Sequence, residues 1–155
     1  MNPYFSTVNR IAGLGAEARA WIGTPFAAKA MVKGAGADCV GLVAGIYMAT
    51  GFMKSFTPGL YALDEGVNAA ESKLLAWFVG RLDFESVGAE VTRLSPGDAI
   101  IFRIGGRVEY HAGLMLANGD FIHVLPKRAA IISNLRESFY RRRITAIFRP
   151  LEVSA

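Results

Sequence analysis

Apolar residues recur at helical spacing in the first half of the chain and at strand spacing in the second half. From about Ser6 to Ile22 they return every three to four residues, which predicts an amphipathic helix. The residues on this stripe are Val8, Ile11, Leu14, Ala18 and Trp21. Gly23-Thr24-Pro25 ends the helix, because Gly terminates helices and Pro restricts the backbone of the residue before it.

Two further helices are predicted before residue 83. Asp38 is a good N-cap for the second helix, and Gly51 ends it. Its inward residues are Val40, Leu42, Val43, Ile46 and Tyr47. After a loop-like stretch from Phe52 to Glu65, a third helix is predicted over about Ala69–Leu82. Its apolar stripe consists of Leu74, Leu75, Phe78 and Val79.

The period changes after the Ser95-Pro96-Gly97-Asp98 turn, where short alternating segments predict strands. The five candidates are AIIFRI from Ala99, EYHAGLMLA from Glu109, DFIHVL from Asp120, RAAIIS from Arg128 and RITAIFRP from Arg143. Helices followed by strands predict an α+β fold, with N-terminal helices packed on a central antiparallel sheet of about five to six strands.

Composition restricts the class of protein. The 155 residues are enough for one domain, 1–155, with a substantial core, and 52% hydrophobic with 19% charged residues is typical of globular proteins. No apolar run is long enough for a membrane span, and the N-terminus carries no secretory signal pattern. The single cysteine cannot form an internal disulfide, and no metal or cofactor site is indicated. The net charge of +4 suits an anionic partner without naming one, and no nucleic-acid partner is expected.

The single cysteine, Cys39, directly follows the predicted N-cap in GAGADCVGLV. A thiol in the first turn of a helix meets unpaired N–H groups and the positive end of the helix dipole, which favour the nucleophilic thiolate. A lone cysteine is otherwise usually a small buried apolar residue. A catalytic role therefore requires a base elsewhere in the chain.

The two histidines, His111 and His123, lie on neighbouring strand candidates joined by an Asn118-Gly119 turn signal. Either one is ordinarily a buried structural residue, but together they supply a base and a group to orient it. A two-residue Asn-Gly hairpin would pair His123 with Leu114 and place the two rings on opposite faces of the sheet. If the histidines cooperate, the hairpin must be longer or contain a bulge.

Five motifs resemble the NlpC-type cysteine peptidases, which are papain-like cell-wall hydrolases, in order and spacing over about residues 17–124. They are WIGTPF from Trp21, GADCVGLV from Gly36, PGDAIIF from Pro96, HAGLML from His111 and GDFIHV from Gly119. The resemblance implies a papain-like fold with Cys39 as nucleophile, His111 as general base and acid, and His123 as the residue that orients His111. The implied substrate is a peptidoglycan stem peptide, cut between D-γ-glutamyl and a diamino acid.

Two positions depart from the family pattern, both at implied substrate contacts. Phe26 stands where many members have Tyr, and Val40 stands where many have Ser. Asp38 is retained, and it has two interpretations: recognition of a substrate amine or loop anchoring, and a helix N-cap.

The wording of KGAGADCVGLV and of the tail RRRITAIFRP looks most like the subgroup of phage tails and gene transfer agents. That subgroup implies synthesis in the cytoplasm without a signal peptide. It also implies a place at the virion tail tip beside a tail hub or tail-tip protein, and action in the host cell wall or periplasm. The alternatives are a catalytically weak or inactive tail assembly or plug protein, and an amidase or acyltransferase of the same fold. The segment 52–95 is long enough to cap a groove or to contact a hub.

Overall fold

A computed structural model describes residues 1–56, 73–105 and 111–153. Four α-helices lie in these ranges: α1 Val8–Trp21, α2 Cys39–Ala49, α3 Lys73–Val79 and α4 Ser138–Arg141. The strands are β1 Met31–Val32, β2 Gly36–Ala37, β3 Phe84–Ser86, β4 Ala99–Phe102, β5 His111–Met115, β6 Asp120–His123, β7 Ile131–Asn134 and β8 Ile144–Pro150. The predicted α+β class, with helices on a central antiparallel sheet, is confirmed.

The central sheet contains six strands in the order β3-β8-β4-β5-β6-β7, and all neighbours are antiparallel. One face packs against α1 and α2 around the main apolar core. The other face carries a smaller cluster that includes Phe102, Phe121 and the half-buried Tyr140 of α4. β1 and β2 form a separate short hairpin immediately before α2. A single residue, Asp38, therefore separates the end of β2 at Ala37 from Cys39 at the start of α2.

Helix α2 is buried on every side from Cys39 to Tyr47, which is why its sequence is almost entirely apolar. Two glycines permit this close packing. A Cβ at Gly41 would lie 2.1 Å from the carbonyl oxygen of Ala30, and a Cβ at Gly45 would lie 2.5 Å from the ring of Trp21. The helix is thereby held directly against the loop before β1 and against α1.

The β5–β6 hairpin has a three-residue connection, Ala117–Gly119. Asn118 and Gly119 both have positive φ, +60° and +81°, and the N–H of Leu116 donates to the carbonyl of Asp120. The register pairs Leu114 with Ile122, one residue away from that of a two-residue turn. This shift puts His111 and His123 on the same face, so the predicted irregularity in the hairpin is confirmed.

Several boundaries differ from the sequence prediction. Val8, predicted to face the core, is the first residue of α1 and is 83% exposed. Helix α3 ends at Val79 rather than Leu82, and the predicted start at residues 69–72 lies outside the described residues. The strands β1, β2 and β3 have two or three residues each, too short to show a period.

Candidate active site

Cys39 is the first residue of α2 and is held there by the carboxylate before it. Asp38 is fully buried, and its Oδ1 accepts a 2.7 Å hydrogen bond from the N–H of Gly41 as a helix N-cap. Its Oδ2 accepts a 2.7 Å hydrogen bond from the N–H of Lys29, whose φ is +58°. One carboxylate thus fixes both the start of α2 and the loop that packs beside the cysteine.

The Cys39 thiol is 2% exposed and lies beside the backbone N–H of Ala112, the residue after His111 on β5. Burial raises the pKa of this thiol to about 12, and the N–H groups of Ala112, Val40 and Cys39 oppose that rise by favouring the thiolate. The backbone N–H groups at the helix start thus act in the expected direction, but they are not the largest influence on this thiol. Loss of hydration outweighs the backbone donors, and the resting group is a neutral thiol.

The two histidines form a hydrogen-bonded pair. His111 begins β5 and His123 ends β6, and both are buried, with 3% and 1% exposure. Nε2 of His111 lies 3.0 Å from Nδ1 of His123. Nε2 of His123 in turn lies 2.9 Å from Oγ of Ser133 on β7. A continuous chain of hydrogen bonds therefore runs across three neighbouring strands.

Burial keeps both imidazoles neutral at pH 7. It lowers the pKa of His111 to about 3, assisted by the charge that His123 would carry, and lowers the pKa of His123 to about 4. Neutral imidazole is the form that can accept a proton from a thiol. Since Nε2 of His111 is committed to His123, Nδ1 is the ring nitrogen left for that task.

Aromatic rings hold the His123 ring from two sides. Phe121 lies 4.7 Å from it between centroids, and Tyr140 lies edge-on at 5.0 Å with an interplanar angle of 83°. Sequence reasoning missed Ser133 and Tyr140 as parts of this site. Ser133 is a polar residue at the end of the apolar candidate RAAIIS, which was the available signal, but its partner depends on the β6–β7 register.

The three predicted substrate contacts differ in position. Phe26 is half-buried and bridges to Ala37, next to Asp38. Val40 is 3% exposed and belongs to the main apolar core, together with Tyr47 and Phe78. Both oxygens of Asp38 accept backbone N–H groups, which agrees with capping and loop anchoring. Substrate contact by Phe26, Val40 or Asp38 stays a prediction.

Over residues 1–56, 73–105 and 111–153, no group of three or more His, Cys, Asp or Glu side chains could hold a metal ion. Over the same ranges, no helix has the length and apolar character needed to cross a membrane.

Structures of known proteins share this fold. A lipoprotein-like NLP/P60 family protein from Staphylococcus aureus superposes with a TM-score of 0.65 at 15% identity, covering 99% of this chain and 45% of that one. This chain thus spans less than half of the staphylococcal protein.

Two isolated domains match over nearly their full length. The NlpC/p60 domain of the peptidoglycan hydrolase SagA gives a TM-score of 0.56 at 20% identity, with 88% of this chain and 95% of that one covered. RipD from Mycobacterium tuberculosis, described as a non-catalytic NlpC/p60 domain protein adapted to peptidoglycan binding, gives 0.57 at 15% identity, with 92% and 98% covered. At these identities the likeness concerns the fold.

No curated protein sequence matches the chain. The sequence pattern of the NlpC/P60 family, however, matches residues 23–149, a range that includes Cys39, His111 and His123. With this match and the shared fold, the chain belongs to the NlpC/P60 family.

Proposed function

We propose that this protein is a cysteine peptidase that hydrolyses amide bonds in the stem peptides of peptidoglycan. The observation that carries the proposal is the hydrogen-bonded pair of buried, neutral histidines, His111 on β5 and His123 on β6. Strand β5 also borders the Cys39 thiol through the N–H of Ala112. A nucleophile, a base and a group that orients the base are the components that thiol catalysis requires. Membership of the NlpC/P60 family and the fold shared with SagA support the choice of substrate.

The chemistry starts from neutral groups, so proton transfer accompanies attack. Cys39 Sγ adds to the amide carbonyl carbon while Nδ1 of His111 takes the thiol proton. The backbone N–H of Cys39 donates to the developing oxyanion. The tetrahedral adduct collapses when the imidazolium of His111 protonates the leaving amine, which leaves a thioester on Cys39. Water, deprotonated by His111, then attacks the thioester, releases the carboxylic acid and restores the thiol.

The finer assignment rests on the resemblance of the motifs. We place the cut between D-γ-glutamyl and a diamino acid, and the protein on the tail of a phage or gene transfer agent, where it opens the host wall. A tail hub or tail-tip protein is then its partner, and no cofactor is needed. In this setting segment 52–95 caps the groove or contacts the hub, although residues 57–72 of it lie outside the described ranges.

The test is hydrolysis of purified peptidoglycan by the wild type and by Cys39→Ala, with products identified by mass spectrometry. We expect stem-peptide fragments from the wild type alone, and their masses name the bond. Tyr47→Phe, a buried change near the other end of α2, is the matched control and should retain the activity. Folded protein with no turnover from the wild type would contradict the proposal.

A second candidate is a non-catalytic protein that binds peptidoglycan or assembles in the tail. The observation that favours it is the burial of the whole site, with Cys39, His111 and His123 each at most 3% exposed. Labelling of Cys39 by a thiol-directed reagent at pH 7 separates the two candidates. Loss of hydrolysis in step with the labelling of Cys39 supports the enzyme. Labelling only after unfolding, together with retained binding to peptidoglycan sacculi, supports the non-catalytic protein.

A further inference from the structure

The hydroxyl of Ser133 forms the far end of the hydrogen-bond chain that starts at His111. Ser133 lies opposite Phe121 in the β6–β7 register, while His123 lies opposite Ile131. Ser133 is therefore the diagonal neighbour of His123 on the same face of the sheet, within reach of its ring. Its Oγ is 2.9 Å from Nε2 of His123.

Two neutral imidazoles in series can order their protons in two ways. In the first, Nε2–H of His111 donates to Nδ1 of His123, and Nε2–H of His123 donates to Ser133. In the second, every proton is reversed, and Nδ1 of His111 carries a hydrogen. The first order alone leaves a lone pair on Nδ1 of His111 for the thiol proton. Which order is adopted depends on the groups at the two ends of the chain, because each hydrogen bond fixes the donor and acceptor of the next one; the Ser133 hydroxyl fits the first order when its oxygen accepts.

The surroundings of His123 leave Ser133 as the hydrogen-bond partner of its Nε2 at the far end of the chain. Phe121 and Tyr140 pack on the ring and restrain its rotation, and Nδ1 is occupied by His111. Nε2 has the Ser133 hydroxyl as its neighbour at hydrogen-bond distance. A serine oxygen has two lone pairs and accepts an imidazole N–H readily.

We propose that Ser133 is a positioning residue. By accepting the Nε2–H of His123, its Oγ selects the tautomer of His123 and, through the His111–His123 bond, the tautomer in which Nδ1 of His111 is the base. As a role in the reaction, this inference rests on the proposed function. As a statement about protons on nitrogens, it is testable without any substrate.

The first experiment is nitrogen-15 NMR of the histidine side chains in the wild-type protein at pH 7. The chain has two histidines, so His123→Gln assigns both spectra. We expect both rings to be neutral with the proton on Nε2, and a loss of this single tautomer in Ser133→Ala. A proton on Nδ1 of His123 in the wild type, or unchanged tautomers in Ser133→Ala, would overturn the inference.

The second experiment is kinetic and uses stem-peptide hydrolysis. Loss of one hydrogen bond that acts on proton transfer should lower kcat about five- to tenfold in Ser133→Ala, with KM unchanged. Ser133→Thr retains a hydroxyl and should recover most of the rate. Ser86→Ala, an exposed strand serine at the other edge of the sheet, is the control and should match the wild type.

The two experiments separate the two proposals. Wild-type protein with the expected tautomers and no hydrolysis contradicts the peptidase and leaves the tautomer assignment confirmed. Hydrolysis at the wild-type rate by Ser133→Ala, or an effect on KM alone, contradicts the positioning role and leaves the peptidase intact. If Ser133→Ala fails to fold, the tautomers in the wild-type spectrum and the rate of Ser133→Thr still test the positioning role.

Discussion

The two ends of strand β4 both bury polar side chains, and they do so in opposite ways. Asp98 immediately precedes the strand at one end, and Phe102 pairs with His111 at the other end. We call these the Asp98 end and the histidine end. The Asp98 end holds a carboxylate surrounded by donors, whereas the histidine end holds two rings bonded to each other and to a hydroxyl.

At the Asp98 end each hydrogen-bond donor has a fixed partner. Arg149 donates from Nε to Oδ1 at 2.9 Å and from Nη2 to Oδ2 at 2.8 Å, and the N–H of Ser95 donates to Oδ2 at 2.8 Å. The hydroxyl of Tyr47 donates to the carbonyl of Gly97 at 2.7 Å. This arrangement joins β4, β8 and α2, and each of its hydrogen bonds has a fixed donor and a fixed acceptor.

At the histidine end the same depth of burial produces a different result. Each of these hydrogen bonds joins two groups that can both donate and accept, so two arrangements of the protons are compatible with the same positions of the heavy atoms. Burial with a counter-ion therefore makes a structural joint, while burial without one makes a neutral base.

The strongest test is His111→Gln, which removes the base. We expect kcat for stem-peptide hydrolysis to fall about a thousandfold, since general acid–base catalysis contributes about 10²- to 10⁴-fold. His123→Gln should cost only about tenfold, because a glutamine amide oxygen can still accept from Nε2–H of His111. Steady-state kinetics at pH 7 measure both.

Arg149→Ala is the matched control for this experiment, because it perturbs the other end of the strand. Its kcat per folded molecule should equal that of the wild type. Equal losses of kcat for His111→Gln and His123→Gln would contradict the different roles of the two histidines. A loss of kcat in Arg149→Ala would contradict the distinction between the two ends.

The Asp98 end should dominate stability. Arg149→Ala leaves Asp98, 1% exposed, without its cation, and we expect the free energy of unfolding to fall by about 3–5 kcal/mol. Urea unfolding followed by circular dichroism measures it. Arg10→Ala removes an exposed ion pair with Glu152 and should cost about 1 kcal/mol or less. Similar losses in both variants would contradict the structural role of the buried pair.

The two ends should respond to pH with opposite signs. The histidine pKa values are lowered from 6.5 to about 3 and 4, so below pH 6.5 the unfolded chain binds more protons than the folded one. The histidine contribution to stability is present above pH 6.5 and is lost as the pH falls toward 4. We expect the free energy of unfolding to decrease by several kcal/mol between pH 7 and pH 4, measured by urea titration.

Asp98 works against this trend. Burial raises its pKa above 3.8, so its contribution is present below pH 3.8 and is lost as the pH rises through the folded value. His123→Gln removes one titrating ring and should flatten the curve between pH 7 and pH 4. An unchanged slope in that variant would show that the histidines are not responsible.

Within the Asp98 end, the smaller effect is expected for Tyr47→Phe. It removes the hydroxyl that donates to the buried carbonyl of Gly97 and should lower the free energy of unfolding by about 1–1.5 kcal/mol. Thermal unfolding of the variant beside the wild type measures it, with Tyr4→Phe as the control for a half-buried hydroxyl bonded at 3.3 Å. A loss as large as that of Arg149→Ala would contradict the ranking within the Asp98 end.

Local features of the chain were readable from the sequence because they depend on near neighbours. The Asp38 cap follows from residue type and from the apolar run after it, and it is confirmed by the bond to Gly41. The five strand candidates after Ser95 each overlap an observed strand, because short apolar segments bounded by turn residues can be recognised one at a time. The candidate residues Cys39, His111 and His123 were identified from residue type and motif.

Three properties were decided by the tertiary structure alone. The three-residue turn at Asn118 put the two histidines on one face, since a register shift of a single residue reverses every side chain. Ser133 comes within hydrogen-bond distance of His123 only through the β6–β7 pairing, which no local sequence pattern encodes. Burial of Cys39 raises the pKa of its thiol by more than the N–H groups at the helix start lower it, because loss of hydration depends on the whole packed core and not on the helix alone.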